Sequence, residues 1–70
     1  MTARLIFANR LKKFRLSLGF SQEKLAELSG LHRTYVSSVE RYQRNIAIDN
    51  MEKLAIALNI ELIDLLRYDE

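Results

Sequence analysis

Residues 21–40, SQEKLAELSGLHRTYVSSVE, constrain the fold more than any other stretch of this chain. A helical pattern runs to about Leu28, Ser29-Gly30 breaks it, and a second pattern resumes after Leu31 and His32. Ser21 is a good N-cap for the first helix, from Gln22 to about Leu28, and Glu23 sits near that helix's positive end. Leu25, Leu28 and the small Ala26 give it an inner face. The second helix spans about Arg33 to Arg41, with Val36 and Val39 inward and Arg33, Thr34, Ser37 and Ser38 outward together. Valines at buried positions are poor helix formers in isolation, so packing must hold this helix. Two short helices hinged on a glycine therefore need a surrounding bundle.

The flanking sequence supplies one. Thr2 can cap a helix running to about Ser17, on which Phe7, Leu11, Phe14 and Leu18 recur at helical spacing as a face for burial. Gly19 lies just past its end, where a left-handed residue stops a helix without a Cβ penalty. After a loop, Tyr42 to Ile46, a fourth helix from about Ile48 to Leu58 carries Met51, Leu54, Ala55 and Leu58 as its core stripe. Asn59 is a stop, and a short fifth helix from about Glu61 to Leu66 adds Leu62, Leu65 and Leu66. Proline is absent and glycine occurs only at 19 and 30. The expectation is an all-α fold, a compact five-helix single domain over residues 1–70.

Composition removes several function classes. Seventy residues make one domain that buries only about 60% of its unfolded surface, so a helical core, oligomerisation or both must stabilise it. Cysteine is absent, which excludes disulfides, thiolate metal sites and a cysteine nucleophile. His32 is the lone histidine, so neither zinc nor another metal is expected, nor any cofactor. Ser37 and Ser38 have no plausible base beside them, and no convergent catalytic set can be assembled; the chain is not expected to be an enzyme. No apolar stretch approaches about 18 residues. A soluble, cytoplasmic protein without membrane association is the expectation.

Charge is distributed unevenly. Residues 1–46 hold nine Lys and Arg against three acids, and residues 47–70 hold two against six. The basic end suits phosphate, which the acidic end would repel. A solvated surface with accidental asymmetry is the bland alternative. Beside a polar-faced second helix, the split points to a helix-turn-helix, about residues 21–41, that carries one helix into the DNA major groove. Arg33 and Thr34 lie in that helix's first turn: the arginine can donate two bonds to guanine O6 and N7, and the threonine can bond a base edge or pack on a thymine methyl. Ser37, one turn on, can reach a base or phosphate. His32 at the helix start is read as a phosphate or backbone contact. Gln43, Arg44 and Asn45 follow the helix and can clamp a phosphate, whereas Lys12 and Lys13 are ordinary solvated face as often as steering charge.

Several segments carry a family resemblance: Lys13-Phe14-Arg15, Gly19 through Ala26, Ser29-Gly30-Leu31, Val36 through Arg41, then Met51 through Ala55 and Leu58. Over about residues 5–66 the chain resembles the lambda-repressor-like helix-turn-helix proteins of the Cro/C1 or Xre type. Leu31 through Ser37, Glu40-Arg41 and Arg44-Asn45 are similar to the controller proteins of restriction–modification systems. It departs from their pattern at His32, where an acidic cap is common, and at Ala47, where Ser or Thr is. The resemblance implies a prokaryotic regulator, nucleoid-associated when bound, in which Gln22 bonds a phosphate at a helix N-terminus. It implies that Tyr35 lies toward the DNA backbone, partial core filling being the alternative, and that Arg44 reaches a base edge. It also pairs Arg15 with Glu40 as an internal ion pair orienting the recognition helix.

One such helix reads too few base pairs for a genome search, whereas two related by a two-fold axis read half-sites about one helical turn apart. The segment of about 46–67 is the expected dimerisation surface. Ile56, Ile63 and Leu66 lie off the core stripes, with Ile46 and Ile48 nearby, and exposed apolar residues in a small acidic segment mark association. The alternative is that a bent fifth helix covers them. The function expected is a homodimeric DNA-binding transcriptional regulator on a palindromic operator, competing with or recruiting RNA polymerase. An antitoxin or adaptor module of the same fold is the second reading.

Overall fold

Helix ends determine the architecture. In a computed structural model, which describes residues 2–67, the chain forms α1 (Ala3–Ser17), α2 (Gln22–Ser29), α3 (Arg33–Glu40), α4 (Ile48–Ala57) and α5 (Leu62–Leu66). Thr2 caps α1 by accepting from the Leu5 N–H at 3.2 Å, and Ser21 caps α2 by accepting from the Lys24 N–H at 2.9 Å. Both side chains satisfy donors that a helix start leaves orphaned. His32 and Ala47, where the controller pattern places capping side chains, begin α3 and α4 with no capping bond. Asp49 in the first turn of α4 favours the positive end of that helix. At α5, the Glu61 N–H donates to Asp64 Oδ2 at 3.0 Å.

The first four helices close on residues in the left-handed region: Gly19 (φ 72°), Gly30 (φ 77°), Tyr42 (φ 61°) and Asn59 (φ 58°). After α3, the Tyr42 N–H reaches the Val39 carbonyl and the Gln43 N–H reaches that of Ser38, the pairing of a Schellman turn. Asn59 and Ile60 repeat it on Ile56 and Ala55. Gly19 and Asn59 stop their helices where expected.

Phe7, Leu11, Leu25, Val36, Leu54 and Leu65 are the large side chains buried completely, one or two from each helix. Ala26, Val39, Ala55 and Leu58 complete this core. The helix-turn-helix is thus held by its neighbours, as the buried valines of α3 require: α2 packs on α3 and α4, while α1 packs on α3 and α5.

Three packing expectations are corrected. Leu18, expected on the α1 core face, is 48% exposed because α1 ends at Ser17 and the chain reverses immediately after it. Leu28 is 45% exposed. The covered sector of α2 runs through Leu25, Ala26 and Ser29, and at about 100° per residue Leu28 falls well outside it. Ser38 was expected outward and is buried; its hydroxyl donates to the Thr34 carbonyl, so the cost of burying it is met within the helix.

Candidate nucleic-acid interface

A buried ion pair sets the angle of α3. The Arg15 guanidinium, at the end of α1, grips the Glu40 carboxylate with both prongs, Nε to Oε2 at 2.7 Å and Nη2 to Oε1 at 3.0 Å. Their side chains are 8% and 2% exposed. Arg15 Nη1 also donates to the Phe20 carbonyl, and Gln22 Nε2 donates to Glu40 Oε1. The network ties the end of α1, the start of α2 and the end of α3 into one unit, as the resemblance implied for Arg15 and Glu40. A desolvated bidentate pair with its other donors bonded is directional in a way apolar packing is not.

On the outer side of that anchor, Gln22, Arg33, Thr34, Ser37 and Arg41 line one concavity of about 280 Å³. Arg33, Thr34 and Arg41 are exposed, whereas Gln22 and Ser37 are half-buried. At about 100° per residue, positions 33, 34, 37 and 41 fall within one arc of about 100°, opposite the valines. Arg41 was not among the expected contacts, yet the same helical spacing that selects Thr34 and Ser37 also selects it. Glu23 approaches Arg33 to 3.8 Å across two exposed side chains, a pairing worth about 0–1 kcal/mol that leaves the guanidinium available. Gln22 gives one amide N–H to Glu40 and retains a second. His32 is exposed at the start of α3.

The remaining expected contacts gather around the α3–α4 loop. Tyr35 turns away from the concavity: it is half-buried against the core, and its hydroxyl accepts from Asn50 Nδ2 at 3.2 Å. This is the partial core filling given as the alternative for Tyr35, and the Arg44 guanidinium lies 5.1 Å from the centre of its ring. Gln43 accepts from Arg41 Nε at 3.1 Å, linking the loop back to the concavity. Asn45 Oδ1 accepts from Arg4 Nη1, joining the loop to the first turn of α1. Arg4 was not singled out from the sequence, and no local signal places it beside residue 45.

Of the five residues expected at a dimer interface, Ile48, Ile56, Ile63 and Leu66 stand exposed. Ile46 instead packs half-buried against the core, since the loop turns it inward on its way to α4. Among the described residues there is no cluster of three or more potential metal ligands and no helix long and apolar enough to cross a membrane.

Comparison with known proteins agrees with this geometry. The family model described as helix-turn-helix matches residues 11–65. Control protein C.BamHI of Bacillus amyloliquefaciens is 47% identical over 66 residues, which cover 93% of this chain and 82% of that protein. The crystal structure of the restriction-modification controller protein C.AhdI from Aeromonas hydrophila superposes with a TM-score of 0.86 at 52% identity, covering 89% of this chain and 94% of the other. A hypothetical transcription factor from Neisseria superposes with a TM-score of 0.91 at 47% identity, covering 94% and 76%. These relatives are regulators and controllers, not enzymes. The chain belongs to the helix-turn-helix family of DNA-binding transcriptional regulators, in its lambda-repressor-like branch.

Proposed function

We propose that this chain acts as a homodimer on a roughly palindromic operator and serves as the controller of a restriction–modification system. The observation that carries the reading is the concavity in which Gln22, Arg33, Thr34, Ser37 and Arg41 meet, braced from behind by the Arg15–Glu40 pair. In this reading α3 enters the major groove and Arg33 donates to guanine O6 and N7, while Thr34 and Ser37 meet neighbouring base edges. The second amide N–H of Gln22 bonds phosphate on one side of the groove, with His32 beside it. On the other side Arg41, Gln43, Arg44 and Asn45 meet phosphate, and stacking on Tyr35 holds Arg44 ready for a base edge.

Two such surfaces are joined through Ile48, Ile56, Ile63 and Leu66, the exposed apolar side chains of α4 and α5. The acidic third of the chain then lies at the dimer axis and the basic two-thirds toward DNA. Bound there, the dimer competes with or recruits RNA polymerase. Likeness to C.BamHI and C.AhdI supports the controller role.

Selection of bound sequences from a pool of random duplex DNA, with light scattering on the purified protein, tests the proposal. A palindromic consensus and a dimeric mass are expected. A monomer that selects no sequence would favour the antitoxin or adaptor reading, in which the same apolar face meets a different protein.

A further inference from the structure

We propose that Arg4 forms an additional contact with the DNA phosphate backbone, presented from the first turn of α1 by the ring of Tyr42. The inference rests on the DNA-binding reading above and extends its footprint beyond the helix-turn-helix. The Arg4 guanidinium carbon lies 4.4 Å from the centroid of the Tyr42 ring, and Nη1 donates to Asn45 Oδ1. Thr2 Oγ1 shares a hydrogen bond of 2.9 Å with the Tyr42 hydroxyl, fixing the ring from its far end.

Two features make this a presented cation rather than a structural pair. Among the described residues, the partners of Arg4 are the ring and hydroxyl of Tyr42 and the amide oxygen of Asn45, none of which carries a charge at neutral pH. By contrast, Arg15, Arg33 and Arg67 are matched by the carboxylates of Glu40, Glu23 and Asp64. Moreover, a guanidinium carries five N–H donors, and Asn45 and the Tyr42 hydroxyl leave several of them for a further acceptor. Arg4 is exposed, and Asn45 belongs to the loop that follows the recognition helix. Arg44 on Tyr35 repeats the device within that loop, so two arginines there are each held by a tyrosine.

The test compares wild type, Arg4→Gln and Arg4→Lys on two duplexes, the sequence that wild type selects and a scrambled version of it. Log affinity is followed against log salt. Arg4→Gln is expected to reduce the slope by about 0.9 for each protomer's lost phosphate contact, equally on both duplexes. Base preference should stay unchanged, and Arg4→Lys should restore most of the slope. An unaltered slope in Arg4→Gln overturns the proposal. So does a change of base preference, because Arg4 would then act through the loop rather than by touching phosphate. If wild type shows no salt-dependent binding to either duplex, the DNA-binding reading itself fails.

Discussion

The two turns flanking α3 use the same left-handed backbone and obtain it by opposite means. Between α2 and α3 the residue is Gly30, φ 77°, with nothing within 4 Å of where a Cβ would stand. Between α3 and α4 it is Tyr42, φ 61°, a large residue for which that conformation costs about 1–2 kcal/mol. Contacts from outside the turn offset this cost: Thr2 on the hydroxyl and Arg4 on the ring. The first turn is therefore local and carries its own conformation. The second depends on the start of α1, so the loop bearing Gln43, Arg44 and Asn45 holds its shape only while α1 is docked. One side of the recognition helix is fixed by residue type and the other by tertiary contact.

The largest effect is expected from removing the ion pair that ties α3 to the end of α1 and the start of α2. Glu40→Ala leaves the Arg15 guanidinium buried and unpaired, a change that costs about 3–5 kcal/mol. A domain of this size has only about 5–15 kcal/mol in total, so urea unfolding should show a lowered midpoint or no folded baseline. A midpoint within error of wild type would mean that the ion pair does not hold α3. Arg33→Ala sharpens the distinction from the other side of the helix. Specific affinity should fall by about 1–3 kcal/mol with preference relaxed at one base position, while the unfolding midpoint stays put. Unchanged selectivity in that variant would remove Arg33 as a base reader.

Substitutions at the turns come next in size. Gly30→Ala meets no steric obstacle, so its whole cost is conformational, about 1–2 kcal/mol in thermal unfolding. Tyr42→Gly relieves a similar strain but discards the ring that Thr2 and Arg4 hold, and the two effects oppose each other. Stability should then change by less than about 1 kcal/mol, while affinity for duplex DNA drops. If Tyr42→Gly instead stabilises the protein by the full value of the relieved strain, the contacts with α1 contribute nothing and the contrast between the turns collapses.

The same contrast separates what was legible in the chain from what was not. Gly19, Gly30 and Asn59 announce helix stops because their residue types tolerate a positive φ, and Thr2 and Ser21 announce starts by their capping oxygens. The core stripes of α1 and α4 follow from spacing, except that Leu18 overruns the end of its helix. Tyr42 carries no such mark. Its conformation is decided by residues forty and thirty-eight positions away, at 2 and 4, which no local pattern contains. Arg4 was missed for that reason, and Ile46 was expected outside because the turn that directs it inward begins at Tyr42. Arg41 differs, since the helical arc through 33, 34 and 37 already included it. Ser38 shows the limit of the arc itself, for a small residue at the rim can be covered once its hydroxyl bonds back to the helix.

The smallest effect probes the Tyr42 latch by its proton. The hydrogen bond from Thr2, and next the Arg4 guanidinium, lower the pKa of the Tyr42 phenol from its usual 10.0. A lowered acid stabilises the folded state only where it is ionised: the contribution is absent at neutral pH, appears as pH rises through the folded value and is complete above the unfolded one. The stability difference between wild type and Tyr42→Phe should therefore be constant around neutral pH and widen in favour of wild type as pH approaches 10. Chemical unfolding of both proteins across that range measures it. Arg4→Gln should narrow the widening without abolishing it, because Thr2 is the larger cause. A difference flat with pH would mean that the phenol feels neither group, leaving the turn after α3 as local as the turn before it.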